Sequence, residues 1–335
     1  MKEKILVTGG CGFIGSHTCC VLLDAGYQVV VIDDFSNSSH NVLDKIQTIS
    51  GKQITFYEGD VKDKTLLKTI FEKENIDVVI HFAAFKAVGE SVKLPLKYYR
   101  NNLDSTISLL EVMEEYHCKR LVFSSSATVY GSPKSLPIKE DFPLSTTNPY
   151  GTTKLMIEQI LKDVEKSDPT WSIAILRYFN PIGAHPSGLL GENPNDIPNN
   201  LMPYIVKVAN HELEELSIFG NDYDTKDGTG VRDYIHVMDL AKGHEKAIEK
   251  VLRENKLDCY NLGTGEGYSV LELVETFQRV NNVSVPYKIV ERRPGDIAAC
   301  FADPTYAYQE LGFKAEKGIE EMCRDAYYFI EKNTK

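Results

Sequence analysis

A tyrosine and a lysine near the middle of the chain have the spacing of a proton-transfer pair. Asn148 and Pro149 precede them and are typical of a helix start, with Asn as the capping residue and Pro at the first helical position. Tyr150 and Lys154 are then i and i+4 on one face of the predicted helix. A positive charge close to a phenol lowers the phenol pKa from about 10, so the pair could supply a base for a hydroxyl proton.

Ser126 is a third candidate, because it follows a predicted strand over Leu121–Ser125. Ligands of parallel sheets bind beyond the carboxyl ends of the strands, so Ser126 is expected to hydrogen-bond the reacting oxygen. A Tyr-x-x-x-Lys spacing taken alone is more often a surface pair. The assignment of Tyr150 and Lys154 to catalysis therefore depends on a cofactor site elsewhere in the chain.

A glycine-rich turn near the N-terminus supplies that site. It joins a predicted strand, Ile5–Thr8, to a predicted helix, Gly15–Ala25, and contains Gly9, Gly12 and Gly15. In a dinucleotide-binding turn the first glycine allows a tight bend, the second lets the backbone approach a pyrophosphate, and the third allows close packing of helix on strand. The phosphates then meet the helix N-terminus.

Asp33 and Asp34 close the second predicted strand, 18 positions after Gly15. A carboxylate at this position accepts both ribose hydroxyls and repels the extra phosphate of NADP, so the sequence predicts NAD. The plainer interpretation is a turn residue at a strand end. Asp60 follows the third strand and is predicted to lie near the adenine.

The elements that must position these residues alternate along the first 180 residues. Such alternation predicts an α/β fold with a doubly wound parallel sheet (Rossmann), covered by helices on both faces. The predicted strands are Ile5–Thr8, Val29–Asp33, Ile54–Glu58, Val78–Phe82, Leu121–Ser125 and Ile173–Arg177, and the predicted helices are Gly15–Ala25, Lys64–Glu74, Tyr98–Tyr116 and Tyr150–Glu165.

The alternation breaks after Arg177. Residues 181–232 are rich in Gly, Pro, Asn and Asp, and two more helix–strand pieces follow. We therefore expect an NAD-binding domain over residues 1–180, with a returning segment near 233–262, and a smaller α+β substrate lobe over residues 181–335. The chain has no repeat or Ser/Gly linker, so the two parts are expected to share an extended interface.

Composition excludes several function classes. The 335 residues carry a formal net charge of −11, which opposes binding to nucleic acid or to an anionic membrane surface. No apolar run has the length of a membrane span, and we expect a cytoplasmic protein. The seven cysteines and eight histidines form no metal-ligand spacing, so reduced thiols and no metal are expected.

These motifs together resemble the extended short-chain dehydrogenase/reductase family. That family combines a Thr-Gly-x-x-Gly-x-x-Gly turn with a serine and a Tyr-x-x-x-Lys pair, which stand here at Thr8–Gly15, Ser126 and Tyr150/Lys154. Within it the chain is most similar to the UDP-glucose 4-epimerases, from Ile5 to about residue 325. The stretches that carry this similarity are Ser124–Gly131, Asn148–Lys154, Leu176–His185, Ile197–Tyr204 and Gly228–Asp239.

The resemblance implies an isomerase of galactose metabolism that interconverts UDP-glucose and UDP-galactose through a 4-keto intermediate on a tightly bound, recycled NAD. Nucleotide-sugar dehydratases of the family need a carboxylic acid directly after the active-site hydroxyl residue. Ala127 and Thr128 stand there, so no acid is positioned for elimination. The alternatives are a related enzyme such as a UDP-glucuronate 4-epimerase and a non-catalytic NAD-sensing regulator, although a regulator has no need of the three catalytic residues.

The resemblance also implies two sets of binding residues. The positions that match NAD contacts, beside the three glycines, Tyr150 and Lys154, are Phe13, Ile14, Asp33, Asp34, Asn37, Ser38, Asp60, Val61, Phe82, Ala83, Ala84, Lys86, Asn101 and Phe179. The positions that match UDP-sugar contacts, beside Ser126 and Tyr150, are Asn180, Asn200, Leu201, Ser217, Ile218, Phe219, Arg232, Arg293, Asp296 and Cys300.

Some of these positions can be interpreted in two ways. Arg232 and Arg293 could neutralise a diphosphate in this acidic protein, although single arginines more often form surface ion pairs. Phe219 could stack on uracil or fill the core of the lobe. Cys300 stands where a tyrosine narrows the hexose pocket of some family members, so the small side chain here is expected to admit UDP-GlcNAc and UDP-GalNAc. Cys300 could equally be a buried thiol without that role.

The predicted helices Tyr98–Tyr116 and Tyr150–Glu165 could form a homodimer contact or pack on the sheet.

Overall fold

The computed structural model describes residues 2–193, 200–293 and 295–333, and these residues form fourteen strands. In chain order the strands are β1 (Lys4–Thr8), β2 (Gln28–Asp33), β3 (Thr55–Glu58), β4 (Val78–His81), β5 (Arg120–Ser126), β6 (Ser172–Tyr178), β7 (Asn180–Ile182), β8 (Leu216–Phe219), β9 (Val231–Arg232), β10 (Tyr234–His236), β11 (Leu257–Leu262), β12 (Tyr268–Ser269), β13 (Tyr287–Val290) and β14 (Ala299–Cys300).

The same residues form eleven α-helices and a short 3₁₀ helix, Ala127–Tyr130. The α-helices are α1 (Phe13–Asp24), α2 (Asn41–Ser50), α3 (Lys64–Glu74), α4 (Val88–Lys93), α5 (Pro95–Glu115), α6 (Pro149–Ser167), α7 (Leu201–Ala209), α8 (Val237–Arg253), α9 (Val270–Asn281), α10 (Thr305–Leu311) and α11 (Ile319–Asn333).

Seven of the strands form one parallel sheet, in the order β11-β6-β5-β4-β1-β2-β3. The chain starts in the middle at β1, winds outward to β3, and then returns to β4 on the other side of β1. Ligands of such sheets bind beyond the carboxyl ends of the two strands at this reversal. The predicted doubly wound fold is confirmed.

Alternating side chains of each central strand enter two separate cores. In β1, Ile5 and Val7 belong to a core under one helix layer, whereas Leu6 belongs to the core under the other, and all three are fully buried. Because both faces of such a strand are buried, its sequence is a nearly continuous apolar run. This is typical of parallel strands that are covered by helices on both faces of the sheet. The sheet is therefore a rigid base for the loops at its carboxyl edge.

Strand β8 and helices α7, α9 and α11 form a smaller lobe with its own core. Ile205 of α7, Ile218 of β8, Phe277 of α9 and Met322 of α11 are buried together there. A fourth cluster lies between this lobe and the end of the sheet and includes Tyr130, Ile138, Phe179 and Ala302. The two parts thus meet through packed side chains.

Local sequence explains which predicted bounds agree with the structure. The helix predicted over Lys64–Glu74 has those bounds, because the Asp63 carboxylate caps it by accepting the N–H groups of Thr65 and Leu66. Helix α2 was not predicted, because the Ser/Asn-rich approach to it is typical of a loop. Its Ile46 is nevertheless fully buried against the sheet, and this tertiary contact stabilises the helix.

In the described ranges no helix is both long and apolar enough to cross a membrane. Residues 197–199, which begin the stretch Ile197–Tyr204 that carries part of the family resemblance, lie outside the described residues.

Candidate active site

The glycine turn after β1 can form only with glycine at two of its positions. Gly9 has a φ of +68°, and a Cβ on it would lie 2.9 Å from the backbone nitrogen of Ala83. A Cβ on Gly15 would lie 2.3 Å from the carbonyl oxygen of Gly9. The turn is therefore packed tightly between β1, α1 and the segment after β4, as its sequence predicted.

Helix α1 begins at this turn with unsatisfied N–H groups. Gly12 is its N-cap residue and has no side chain to accept a hydrogen bond from the first turn of the helix. The first turn contains no acidic residue either. Free N–H groups at a helix N-terminus attract an anion, so this end of α1 fits a phosphate group.

Asp33 connects the end of β2 to the glycine turn. Its carboxylate accepts hydrogen bonds from the N–H groups of Cys11 and Phe35, at 2.9 Å each, and from the Ser38 hydroxyl at 2.9 Å. Burial raises the pKa of Asp33, and these hydrogen bonds oppose that shift. The carboxylate thus shapes the turn as well as lying at the site predicted for ribose.

One cleft at the carboxyl edge of the sheet brings together the predicted cofactor residues except Phe179. Phe179 lies instead in the cluster with Tyr130 and Ala302, because its ring fills the junction between the sheet and the lobe. The predicted residues that line the cleft are Gly9, Gly12, Phe13, Ile14, Gly15, Asp33, Asp34, Asn37, Ser38, Asp60, Val61, Phe82, Ala83, Ala84, Lys86, Asn101, Tyr150 and Lys154.

Lys62 was missed by the sequence reasoning. Its ammonium lies 3.1 Å from Asp60 Oδ2 and donates to Asn101 Oδ1 at 3.0 Å. It therefore joins two predicted cofactor residues that are 41 positions apart in the chain. Its only sequence signal was a cation two residues after Asp60, which is too common to single out.

Helix α6 carries the predicted catalytic pair into the same cleft. The side chain of Asn148 accepts the N–H of Gly151 at 2.8 Å, and Pro149 occupies the first turn, as predicted. Tyr150 and Lys154 both line the cleft. The cap thus fixes where the helix starts and, with it, where the phenol lies.

The Lys154 ammonium lies farther from the Tyr150 phenol than the i, i+4 spacing of the two residues suggested. The ammonium donates to the Ser124 carbonyl at 2.6 Å and lies 6.0 Å from the centre of the Tyr150 ring. Burial lowers the pKa of Lys154 to about 7, and the charge of Glu158 opposes this shift. Lys154 therefore loses its proton more readily than an exposed lysine.

The pKa of Tyr150 is not lowered by Lys154 alone. Desolvation at the wall of the cleft raises it to about 12, and a hydrogen bond from the Ser126 hydroxyl opposes the rise. Desolvation of the phenol thus outweighs the hydrogen bond from Ser126. A further positive charge beside Tyr150 is needed before the phenolate can serve as a base near neutral pH.

A buried ion pair lies directly behind these residues, and the sequence reasoning missed it. Arg177 donates to both carboxylate oxygens of Glu158, at 3.0 and 2.7 Å, and both side chains are at most 2% exposed. Ser125 donates to the same carboxylate at 2.6 Å. Glu158 is one helical turn after Lys154, so the pair ties the face of α6 that carries Lys154 to β5 and β6. Its partners are distant in sequence, which left no local signal.

The residues after Ser126 provide no carboxylic acid at the strand end. Ala127 and Thr128 begin the 3₁₀ helix, and the Thr128 hydroxyl donates to Ser126 Oγ at 3.0 Å. A hydroxyl bound to Ser126 fixes the serine rotamer but is too weak an acid to expel water from a sugar. The site thus fits proton removal and return, and not elimination.

Three predicted UDP-sugar residues form one group on the lobe. The Arg293 guanidinium lies 4.9 Å from the centre of the Phe219 ring and makes two hydrogen bonds to Asp296, at 3.0 and 3.3 Å. Phe219 is 39% exposed, so it does not fill the core of the lobe. Ser217 precedes it on β8, while the side chain of Ile218 is buried in the lobe core and leaves only backbone atoms for a ligand.

Asn180, Arg232 and Cys300 form a second group. Cys300 is paired in register with Arg232, and the N–H of Asn180 donates to the carbonyl of Asp233 at 2.9 Å. The buried Asp233 carboxylate accepts hydrogen bonds from Thr264, Gly265 and Ala302 and fixes the segment that carries Arg232. Sequence reasoning missed Asp233, although it follows Arg232 directly.

Asn200 and Leu201 form the start of α7. The amide of Asn200 donates to Glu192 Oε1 at 2.7 Å, and the same oxygen accepts from Lys86 at 3.1 Å. The structure thereby joins a predicted UDP-sugar residue to a predicted cofactor residue through Glu192, which the sequence reasoning did not select.

Known proteins are similar to this chain in both sequence and architecture. The family model for GDP-mannose 4,6 dehydratase matches residues 6–326. A UDP-glucose 4-epimerase of Bacillus subtilis is 61% identical over 329 residues, which cover 98% of this chain and 97% of that protein.

Two solved structures extend the comparison. The UDP-glucose 4-epimerase from Bifidobacterium longum in complex with NAD+ and UDP is 55% identical with a TM-score of 0.96, covering 99% of both chains. The UDP-Glc/GlcNAc 4-epimerase from Campylobacter jejuni is 35% identical with a TM-score of 0.86, covering 99% of this chain and 100% of that chain. The chain therefore belongs to the extended short-chain dehydrogenase/reductase family and, within it, to the UDP-glucose 4-epimerases.

Proposed function

We propose that the chain is an isomerase that interconverts UDP-glucose and UDP-galactose by NAD-dependent epimerisation at C4 of the hexose. The observation that carries the proposal is the shared cleft: Tyr150 and Lys154 line it together with the glycine turn and Asp33, and no carboxyl group follows Ser126. The identity to UDP-glucose 4-epimerases over nearly the whole chain supports the same reaction.

The residues at the carboxyl edge of the sheet fit NAD. The uncapped N-terminus of α1 would hold the pyrophosphate, and Asp33 would hold the adenosine ribose. When bound, NAD would supply the hydride acceptor and donor for C4 of the hexose. Since NAD is regenerated in each turnover, its tight retention costs no activity.

The side chains of the site move the proton. Tyr150 accepts the proton of the 4-hydroxyl while Ser126 hydrogen-bonds the same oxygen. Tyr150 returns the proton after the 4-ketose has rotated in the site so that its opposite face is presented. Lys154 and the cationic nicotinamide together would offset the desolvation that raises the pKa of Tyr150. The mechanism thus requires a positive charge near the phenol in addition to that of Lys154.

The UDP part would bind to the two groups on the lobe and to Asn200, the N-cap residue of α7. Arg293 and Arg232 supply cations for the diphosphate, and the exposed ring of Phe219 offers a face for uracil. Because the ligand is held through its nucleotide, the hexose is free to rotate in the site, and epimerisation requires this rotation.

An isotope experiment tests the reaction. We expect UDP-galactose deuterated at C4 to give UDP-glucose that keeps the deuterium at C4, because the hydride removed is the hydride returned. Mass spectrometry and NMR of the product would locate the label. Loss of the label, or entry of hydrogen from the solvent at C4, would contradict the proposal.

We also propose that the chain acts as a homodimer in the cytoplasm. Exposed apolar side chains on α4, α5 and α6 support the dimer: Val92 is 61% exposed, Leu96 82%, Ile107 40% and Met156 44%. Seven cysteines without a disulfide among them support a reducing compartment. Sedimentation of the wild-type protein and of Leu96→Glu would test the dimer, since a charge in the contact should favour monomers.

We further propose that UDP-GlcNAc and UDP-GalNAc are substrates, because Cys300 is small. It lies beside Arg232, and burial raises its thiol pKa to about 11, so the side chain is neutral at pH 7. We expect Cys300→Tyr to lower turnover of the N-acetyl pair by about 10- to 100-fold through steric exclusion, with UDP-galactose turnover within about threefold of wild type.

The control for this prediction is Cys300→Ala, which keeps the site small and should leave both activities in place. Initial rates on both substrate pairs check it. Wild-type protein without turnover of the N-acetyl pair would refute the proposal.

A further inference from the structure

Glu192 lies where the cofactor cleft meets the lobe. It lines the cleft that contains the glycine turn, and it also lines a smaller cavity of about 50 Å³ beside Met202 and Phe329. Its side chain is only 11% exposed. A carboxylate with so little contact with water requires partners in the protein.

The partners of Glu192 come from both predicted binding sites. Its Oε1 accepts from the Lys86 ammonium at 3.1 Å and from the Asn200 amide at 2.7 Å. Lys86 lies in the segment after β4, at the mouth of the cofactor cleft, and Asn200 is the N-cap residue of α7. One oxygen atom thus bridges a predicted NAD residue and a predicted UDP-sugar residue.

The second oxygen of Glu192 indicates that the bridge is not optimised for stability. Among the described residues Oε2 is buried and has no hydrogen-bond partner. A buried acceptor without a donor costs free energy, so a purely structural bridge would favour a neutral or apolar side chain. Only an acidic side chain, however, can accept from an ammonium and an amide at once and hold the ammonium by charge.

We propose that Glu192 is a positioning residue that couples the two binding sites, so that UDP bound on the lobe slows the release of NAD from the cleft. The inference rests on the proposed function. UDP bound at Asn200 restrains that side chain and, through it, Glu192 and Lys86. The cost of ordering Lys86 is then shared between the two ligands, so UDP tightens the binding of NAD. By linkage, NAD tightens the binding of UDP by the same factor.

The test measures the release of NAD with and without UDP. NAD-loaded protein is mixed with an enzyme that destroys free NAD, and the remaining bound NAD is followed over time. For wild type we expect saturating UDP to slow release at least about fivefold, the lower end of ordinary allosteric coupling. For Glu192→Gln we expect faster release without UDP and a ratio of the two rates near one, because the charge that holds Lys86 is gone.

Two further variants make the result decisive. Glu192→Asp keeps the charge but shortens the side chain, so it should also lose most of the coupling; it decides the question if Glu192→Gln does not fold. Glu212→Gln is the matched control, because this exposed glutamate lines the same small cavity but its side chain accepts a hydrogen bond only from Asn210 among the described residues. It should keep the wild-type ratio.

The outcomes separate the inference from the function on which it rests. An unchanged ratio in both Glu192 variants, or no effect of UDP on wild type, would overturn the inference even if wild type epimerises UDP-galactose. Failure of wild type to epimerise would instead overturn the proposed function. A rise in KM for UDP-galactose with kcat nearly unchanged is also expected for Glu192→Gln, since Glu192 does not touch the reacting atoms.

Discussion

Replacement of Tyr150 by phenylalanine is expected to lower turnover of UDP-galactose by about 1000-fold, within the range that general acid–base catalysis contributes. The variant lacks the oxygen proposed to accept the proton of the 4-hydroxyl, while its ring keeps nearly all of the contact area. Dissociation constants for NAD and UDP should therefore stay within about threefold of wild type. Initial rates and calorimetric titrations measure the two quantities.

Tyr308→Phe is the matched control for this variant. Its side chain is 59% exposed on α10, outside the residues that line the cleft, so the same loss of a hydroxyl should leave turnover unchanged. Near-normal turnover of Tyr150→Phe would mean that another group is the base. A loss of turnover that came only from weaker binding of NAD would contradict the assignment as well.

Replacement of Arg177 by alanine is expected to lower the free energy of unfolding by about 3 to 5 kcal/mol, the cost of leaving a buried charge without its partner. The Glu158 carboxylate is fully buried and loses two of its three side-chain hydrogen bonds in this variant. Turnover of the remaining folded protein should fall too, because Glu158 fixes α6 beside Lys154. Unfolding in guanidinium chloride and the midpoint of thermal unfolding check the prediction.

Arg253→Ala provides the control for Arg177→Ala. Arg253 pairs with Glu249 one helical turn away on α8, but its side chain is 70% exposed. An exposed pair of this kind contributes less than about 1 kcal/mol. Equal destabilisation by the two variants would show that burial of the Glu158–Arg177 pair has no special effect.

The sequence predicts the features that depend on local spacing. The glycine turn between β1 and α1, the Asp33 carboxylate at the end of β2 and the capped start of α6 each follow from a few neighbouring residues. Gly9 and Gly15 are required by backbone approach within a single strand–turn–helix unit, which the pattern encodes directly. The doubly wound sheet follows from the alternation of strands and helices.

Features that depend on distant contacts could not be predicted in this way. Glu158 of α6 meets Arg177 of β6 only because α6 packs against the sheet, and Glu192 meets Lys86 across 106 positions. Phe179 matched a cofactor position in the family but packs into the junction, because tertiary packing decides which way a side chain faces after a strand. The raised pKa of Tyr150 likewise depends on desolvation by the folded protein.

The most direct test of the central claim is to incubate the purified protein with UDP-galactose, without added NAD, and to follow UDP-glucose by a coupled dehydrogenase assay after the reaction is quenched. We expect UDP-glucose to form, because the cleft is proposed to retain the cofactor and the proposed reaction regenerates it in every turnover. No UDP-glucose, even when NAD is supplied, would contradict C4 epimerisation of this substrate and leave only the dinucleotide-binding fold.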